Sequence, residues 1–333
     1  MGSYRPSQAE TDAASGVRGV SIRGEAVRRD EATFDSQGTT CRAWIYWPAA
    51  SEPAPLPCIV MAHGLGGTRR SALEPFALRS AAAGFAVLLF DYRFLGDSDG
   101  EPRQLISVPK QLEDWTAAIA FARATPAIDP DRIGLWGTSL SGGHVITIAA
   151  CDPRIAAVSA QCPMLDGSAS ATIALQHASW TSVVAMSTAA LIDTSRALLG
   201  LSPHYVPLVG RAGEVAAMVS DDAYEGCMTI TPPDWRNEVA PRLFLTLPLY
   251  RPVNASHHIV CPTLLIACEQ DKLVSNTAIE TTAQHIGDNA QLVRLPIGHF
   301  DIYLGEWFER ASTAQTAFFT GAMMGNLSAI VKG

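Results

Sequence analysis

Short apolar segments alternate with longer amphipathic ones along most of the chain. Six of the apolar segments show little alternation between apolar and polar residues, as is typical of strands buried on both faces. They are Cys58–Ala62, Ala86–Asp91, Arg132–Trp136, Ile155–Gln161, Thr263–Cys268 and Gln291–Leu295. Helical patterns, marked by apolar spacings of three and four or by many alanines, lie between them at Ser71–Ala83, Val108–Ile119 and Leu140–Cys151. This alternation predicts an α/β fold with a mostly parallel sheet and helices on both of its faces.

Two parts of the chain depart from the alternation. Residues 33–47 have the pattern of a hairpin, which we expect at one edge of the sheet. The alternation also stops after Gln161 and resumes at Cys261. The stretch between begins with a helix-like half, Ala169–Leu199, and continues with a half rich in proline and aromatic residues. We therefore predict an insertion, either a cap over the carboxyl edge of the sheet or a subdomain whose aromatics fill its own core.

These patterns predict the domain organisation. A mobile N-terminal tail is expected over residues 1–22, and an α/β core over residues 23–162 and 257–333. The inserted cap is expected over residues 163–256. A chain of 333 residues is long enough for one large α/β domain that carries such an insertion.

Composition and charge exclude several classes of protein. With 48% apolar and 17% charged residues, the chain has the composition of a folded, soluble protein and not of a disordered one. The net charge is −8 and no basic block occurs, so nucleic acid is not an expected partner. No apolar run approaches the roughly 20 residues of a membrane span, and the first residues lack a signal-peptide pattern. We therefore expect a cytoplasmic protein without membrane contact, and a homo-oligomer is compatible with the sequence.

The cysteines and histidines give no metal-binding pattern. The seven cysteines are scattered, mostly within apolar runs, which favours buried free thiols over disulfides. No C-x-x-C pair and no H-E-x-x-H motif occurs, and the His257 and His258 pair lacks metal-ligand spacing to other donors. We expect neither a metal nor a cofactor.

The most informative motif is Gly137-Thr138-Ser139-Leu140-Ser141-Gly142, between a predicted strand and a predicted helix. A serine on such a strand-to-helix turn is the arrangement of a nucleophile elbow, which exposes the hydroxyl above the sheet. The backbone N–H of Leu140 and the helix N-terminus then face an oxyanion formed on a carbonyl that Ser139 attacks. The usual G-x-S-x-G pattern has glycine where this chain has Ser141, a residue small enough for the turn.

A second motif supplies the other oxyanion donor. The strand ending at Ala62 is followed by His63-Gly64-Leu65-Gly66-Gly67, a glycine-rich loop of the type that donates a backbone N–H to the oxyanion. We assign that donor to Leu65. A phosphate-binding loop is the alternative for such glycines, but the P-loop lysine and the G-x-G-x-x-G spacing are both missing.

A serine nucleophile needs a base and an acid that orients the base. His299 follows the last predicted strand and Asp271 follows the strand before it, so both lie at the carboxyl edge of the sheet. The chain order is then Ser139, Asp271, His299, the order of nucleophile, acid and base in α/β-hydrolases. Asp166 also follows a predicted strand at this edge and is an alternative acid.

From about Phe34 to Phe318, the sequence resembles the α/β-hydrolases. The stretches HGLGGTRR, DYRFLGDSDGEP, WGTSLSGGH and GHFDIYLGE resemble a dienelactone-hydrolase-like branch that includes polyketide transferases and thiohydrolases. The resemblance implies the α/β-hydrolase fold, the triad of Ser139, Asp271 and His299, and oxyanion donation by Leu65 and Leu140. It agrees with the assignment made from the residues themselves.

The predicted function is a serine hydrolase that cleaves a small-molecule carboxylic ester or thioester through an acyl-serine intermediate. An acyltransferase that passes the acyl group to an alcohol is the alternative with the same chemistry. A protein that only binds a ligand on a hydrolase fold is the alternative of another class. The aromatic residues of the cap predict an apolar substrate moiety. The residues expected to line its pocket are Trp180, Tyr205, Trp235 and Tyr250.

Overall fold

The computed structural model describes residues 18–22, 25–48 and 55–325. Nine strands form one sheet: β1 (Arg18–Ile22), β2 (Glu25–Ser36), β3 (Thr39–Trp47), β4 (Leu56–Ala62), β5 (Ala86–Phe90), β6 (Ile128–Thr138), β7 (Ala157–Gln161), β8 (Thr263–Cys268) and β9 (Ala290–Leu295). The order across the sheet is β1-β2-β3-β5-β4-β6-β7-β8-β9. The first three strands pair antiparallel, as does β3 with β5, and all other pairs are parallel. The prediction of a mostly parallel sheet with an edge hairpin is confirmed.

Eight α-helices accompany the sheet in the part of the chain that the structure describes. They are α1 (Glu74–Ala82), α2 (Val108–Ala124), α3 (Leu140–Cys151), α4 (Gly167–His177), α5 (Trp180–Leu198), α6 (Ala223–Ile230), α7 (Asn276–Ile286) and α8 (Gly305–Met324). Helices α2, α3 and α7 bury their apolar residues in a core on one face of the sheet. Helices α1 and α8 bury theirs in a second core. The central strands supply side chains to both cores, which is why their sequences lack alternation.

The insertion lies between β7 and β8, as the break in the sequence pattern predicts. It comprises residues 163–262, which we call the inserted segment, and contains α4, α5 and α6. Four short 3₁₀ helices follow, at Pro241–Leu245, Leu247–Leu249, Pro252–Asn254 and Ser256–His258, where prolines prevent longer helices. Several of its residues, Val206, Leu208, Val239 and Leu243 among them, join the same core as α2 and α3. The segment therefore packs onto the hydrolase-like core and does not fill only a core of its own.

The N-terminal boundary differs from the prediction. Residues 18–22, expected in a mobile tail, form β1 and pair with β2. Residues 1–17 of the predicted tail lie outside the described residues.

All seven cysteines are free and six are buried, with Cys151 exposed. Among the described residues, no helix combines the length and apolarity needed to cross a membrane.

Candidate active site

Ser139 occupies a strained turn between β6 and α3. Its backbone has φ 56° and ψ −122°, a conformation that non-glycine residues rarely adopt. The turn is anchored because the Ser139 N–H donates to the carbonyl oxygen of Gln161 at 2.9 Å and the Ser139 carbonyl accepts from Met164 at 2.9 Å. Strained backbone of this kind persists only where the surroundings determine it, and it is common at catalytic sites.

Small residues are required where the chain doubles back. A Cβ atom on Gly137 would lie 2.3 Å from the carbonyl oxygen of Ser141, and one on Gly64 would lie 2.8 Å from the Cβ of Ser139. Ser141 itself is buried and its hydroxyl is 2.9 Å from the hydroxyl of Tyr92, which also accepts from the indole of Trp115 at 2.8 Å. The departure from glycine at position 141 is therefore accommodated by a hydrogen-bonded pocket for the hydroxyl.

His299 and Asp271, predicted from the sequence as base and orienting acid, lie in hydrogen-bond contact. The imidazole Nδ1 of His299 lies 2.6 Å from the Oδ2 of Asp271. The other carboxylate oxygen, Oδ1, accepts from the backbone N–H groups of Leu273 at 2.8 Å and Val274 at 3.1 Å. These bonds fix the position of the carboxylate, and a neutral imidazole that donates its Nδ1 proton to it has Nε2 as its proton acceptor.

The surroundings of His299 change its basicity. Burial by itself lowers the pKa of this imidazole, but the Asp271 carboxylate and the thiol of Cys162 more than offset that effect and hold the pKa well above its ordinary value. The side chain is only 4% exposed, so the ion pair with Asp271 is shielded from solvent. Cys162, directly after β7, is a neighbour of the triad histidine that the sequence analysis did not anticipate, because no motif marks it.

Ser139 and His299 line one small cavity of about 50 Å³. Its walls include His63, Thr138, Phe300 and Tyr303, all from loops or strand ends at the carboxyl edge of the sheet. The three residues predicted as a triad thus converge from the ends of β6, β8 and β9. A serine, a histidine that can accept its proton and a carboxylate that orients the histidine are the groups needed for acyl transfer.

The two residues predicted to donate to an oxyanion also lie beside Ser139. Leu65 and Leu140 line a larger cavity together with Ser139. Leu140 is the first residue of α3, so its N–H has no acceptor within the helix. The N–H of Leu65 donates to no other backbone carbonyl among the described residues. Both backbone donors are therefore available to a ligand.

Asp166, the alternative acid, has a different role in the structure. Its Oδ1 caps the N-terminus of α4 by accepting from the backbone N–H groups of Ser168 and Ala169. Its Oδ2 pairs with the guanidinium of Arg251 at 2.7 Å. The carboxylate that contacts His299 is that of Asp271, so the structure favours Asp271 as the orienting acid.

The larger cavity has a volume of about 280 Å³ and is mostly apolar. It lies between the Ser139 turn and the inserted segment, and α4 and α5 supply much of its wall, including Ala171, Ala174, Val183 and Met186. Within the part of the chain that the structure describes, Phe244 is the only phenylalanine, tyrosine or tryptophan of the wall. No aspartate or glutamate among these described residues lines it, and Lys272 is the only lysine or arginine of them that does.

The four aromatic residues predicted to line the pocket do not line this cavity. Trp180 points to solvent, with 79% of its surface exposed. Tyr205 donates to the carbonyl of Arg103, and the hydroxyl of Tyr250 lies 2.9 Å from Nδ1 of His144. Trp235 donates to the carbonyl of Gly66. That prediction was wrong because three of the four have a polar group satisfied by the hydrolase-like core, whereas alanines and a methionine of α4 and α5 line the cavity.

One set of side chains has the composition of a metal site. Among the described residues, donor atoms of Cys162, Cys268 and Asp271 lie within 4.8 Å of one another. Both oxygens of Asp271 already accept hydrogen bonds, from His299 and from two backbone N–H groups. Because a metal would compete with the bond that orients His299, we assign no metal to this set.

The chain is similar to several known proteins. The family model of the X-Pro dipeptidyl-peptidases (S15 family) matches residues 37–301. The quorum-quenching protein AidA of Acinetobacter baumannii is 42% identical over 289 residues, covering 86% of this chain and 92% of that protein. The thiohydrolase aneE of Aspergillus aculeatus is 39% identical over 129 residues, 39% of each chain. The crystal structure of the α/β hydrolase GrgF from a Penicillium species, 23% identical, superposes with a TM-score of 0.72 over 89% of this chain and 99% of that one.

Proposed function

Because the chain belongs to the S15 family of α/β-hydrolase enzymes, we propose that it is a serine hydrolase that cleaves a carboxylic ester or thioester with an apolar moiety. The observation that carries the proposal is the 2.6 Å bond between Asp271 and His299 at a cavity shared with the strained Ser139 turn. Catalytic roles are proposed for Ser139 as nucleophile, His299 as base and Asp271 as orienting acid. Leu65 and Leu140 are the proposed oxyanion donors.

The reaction has two steps. The Ser139 oxygen attacks the substrate carbonyl as His299 accepts its proton, and the tetrahedral oxyanion accepts hydrogen bonds from the Leu65 and Leu140 amides. The bond to the leaving group then breaks, and His299 passes the proton to the departing alcohol or thiol. Water next attacks the acyl-serine, again through His299, and releases the carboxylic acid and free Ser139.

The family name describes peptidases, but the cavities of this chain favour another substrate. A buried ammonium group at a peptide amino terminus is costly unless it is paired, and no aspartate or glutamate of the described residues lines either cavity at Ser139. One relative supports the same preference, since it is named a thiohydrolase. We propose that the inserted segment acts as a cap that encloses an apolar group of the substrate.

Active-site labelling followed by a substrate panel tests the proposal. A fluorophosphonate is expected to label the wild-type protein at Ser139, and Ser139→Ala is expected to lose both labelling and turnover. Ser195→Ala, an exposed serine on α5, is the matched control and is expected to retain both. Labelling of the Ser139→Ala variant at another serine would contradict the assignment.

The panel compares p-nitrophenyl esters, an acyl thioester and an acylated lactone, each with and without a primary alcohol. Formation of the free acid supports a hydrolase. If an ester of the added alcohol is instead the main product, the enzyme is an acyltransferase that uses the same residues. Labelling of Ser139 without turnover of any member would favour a ligand-binding protein.

A further inference from the structure

Two cavities meet at Ser139 from different sides. The larger, of about 280 Å³, is lined by Ser139, Leu65 and Leu140, and His299 is not part of its wall. The smaller, of about 50 Å³, is lined by Ser139 and His299 together. The base therefore faces only one of the two spaces beside the nucleophile.

The chemistry of the proposed reaction distinguishes these two spaces. The leaving alcohol or thiol must receive its proton from the triad histidine, so it must lie next to that imidazole when its bond to carbon breaks. The acyl group stays bonded to the serine and has no need of the histidine. Its carbonyl oxygen lies at the two backbone donors; Leu65 lines both cavities, whereas Leu140 lines only the larger one.

We infer that the larger cavity holds the acyl chain and the smaller one the leaving group. The inference rests on the proposed function and specifies its substrate class: an ester or thioester with an extended apolar acyl chain and a small alcohol or thiol. The sequence predicts an apolar substrate moiety but does not indicate whether it is the acyl group or the leaving group. The two cavities do, because only one of them includes the base.

The walls of the larger cavity fit an unbranched acyl chain. Most of its lining is apolar, with Met164, Val183, Met186, Phe244 and Leu247 among the larger side chains. Its volume of about 280 Å³ lies just below the range of roughly 300–1,000 Å³ for pockets that hold drug-sized ligands, so it has room for one acyl chain of moderate length. Burial of each methylene group stabilises the complex by a factor of about four.

The smaller cavity restricts the leaving group. A water molecule in the liquid occupies about 30 Å³, so a space of 50 Å³ admits only a few non-hydrogen atoms. Its walls include the rings of His63, Phe300 and Tyr303, and Tyr303 is held by a hydrogen bond of 2.5 Å between its hydroxyl and Thr138. A long alkyl alcohol does not fit within this space and would have to extend out of it.

A pair of isomeric esters tests the orientation. Ethyl octanoate and octyl acetate contain the same atoms, but the eight-carbon chain is on the acyl side in the first and on the alcohol side in the second. We expect the kcat/KM of ethyl octanoate to be at least about tenfold higher, since only its chain enters the larger cavity. Equal values, or a preference for octyl acetate, would overturn the inference.

A variant at the cavity wall tests the position of the chain. Ala174 on α4 lines the larger cavity, and Gln176, two residues later, is exposed and does not. Ala174→Phe is expected to lower kcat/KM for ethyl octanoate at least about tenfold and to leave ethyl acetate unchanged. Gln176→Phe, the matched control, is expected to leave both unchanged. Loss of octyl acetate turnover alone in Ala174→Phe would reverse the assignment of the two cavities.

These outcomes separate the inference from the proposed function. Turnover that persists in Ser139→Ala contradicts the proposed function itself. Turnover that requires Ser139 but favours octyl acetate contradicts only the assignment of the cavities. If the protein reacts with the fluorophosphonate but hydrolyses neither isomer, the inference is also contradicted. An ester with the proposed acyl chain and a small alcohol would then not be a substrate.

Discussion

The indole Nε1 of Trp235 donates a hydrogen bond of 2.8 Å to the carbonyl oxygen of Gly66. Gly66 follows Leu65, the proposed oxyanion donor, and has a φ of +63° that favours glycine. Leu208, also in the inserted segment, packs so closely on Gly66 that a Cβ atom there would lie 2.3 Å from its side chain. The inserted segment therefore holds the loop that carries the Leu65 N–H, in addition to forming a cavity wall.

Trp235 is accordingly a positioning residue for the oxyanion donor. Trp235→Phe removes the hydrogen bond but keeps an aromatic ring, and a neutral hydrogen bond contributes about 0.5–1.5 kcal/mol. We expect kcat to fall roughly 2- to 12-fold with little change in KM, because the donor acts on the oxyanion and not on substrate binding. Steady-state kinetics on one ester provide the measurement.

Tyr205→Phe is the matched control for this variant. Tyr205 also belongs to the inserted segment and donates a bond of similar length, 2.7 Å, but to the carbonyl of Arg103 and not to the loop that carries Leu65. Its loss is expected to leave kcat unchanged. Equal effects of the two substitutions on kcat would show that Trp235 acts only through general stability.

The choice between Asp271 and Asp166 is open to a direct kinetic test. If Asp271 orients His299, Asp271→Asn is expected to lower kcat by up to roughly 10⁴-fold, as loss of the orienting carboxylate does in other triads. Asp166→Asn is expected to change kcat little and to lower thermal stability, since it weakens a helix cap and the pair with Arg251. A larger loss of kcat in Asp166→Asn than in Asp271→Asn would move the acid to Asp166.

Much of this site could be predicted because local sequence determines it. The elbow at Ser139 needs glycines at fixed positions. Asp271 and His299 follow parallel strands, so they lie at the same edge of the sheet regardless of how other segments pack. The helix Leu140–Cys151 and the strand Thr263–Cys268 have the bounds that the apolar pattern predicts. Local rules of this kind leave few alternative conformations for the segments that carry these residues.

The cavity wall could not be predicted for the opposite reason. Which face of α4 and α5 lies toward Ser139 depends on how the inserted segment packs, and the segment has no motif that sets its orientation. Large aromatic side chains are good candidates for a pocket wall, yet Trp235 and Tyr250 use their polar groups to contact the core. Cys162 follows β7 and His299 follows β9, and the two lie side by side only because β8 pairs with both strands.

The raised pKa of His299 predicts the pH dependence of activity. The histidine must be neutral to accept the serine proton, so kcat/KM is expected to fall on the acid side with a midpoint above 6.5. Asp271 is the largest contribution that raises this pKa, so Asp271→Asn is expected to move the midpoint of the residual activity to lower pH. Measurement of kcat/KM from pH 5 to 9 tests both statements. An unchanged midpoint in Asp271→Asn would contradict the role given to this ion pair.

His144 predicts a pH dependence of stability that is independent of catalysis. Burial, with a smaller contribution from His63, lowers its pKa to about 3. Its Nε2 lies 3.0 Å from the Gln111 Oε1 and its Nδ1 lies 2.9 Å from the Tyr250 hydroxyl, an arrangement that a neutral imidazole satisfies by donating from Nε2 and accepting at Nδ1.

Because the unfolded chain has a histidine pKa of about 6.5, it binds more protons than the folded chain between pH 6.5 and 3. The stabilisation from neutral His144 is therefore fully present above pH 6.5 and declines as the pH falls, by about 1.4 kcal/mol per unit. Relative to His144→Gln, which does not titrate, the wild type is expected to lose about 2 kcal/mol of unfolding free energy between pH 7.5 and 5. Urea titrations of both proteins at the two pH values provide the test, and parallel changes in the two proteins would show that folding does not lower the pKa of His144.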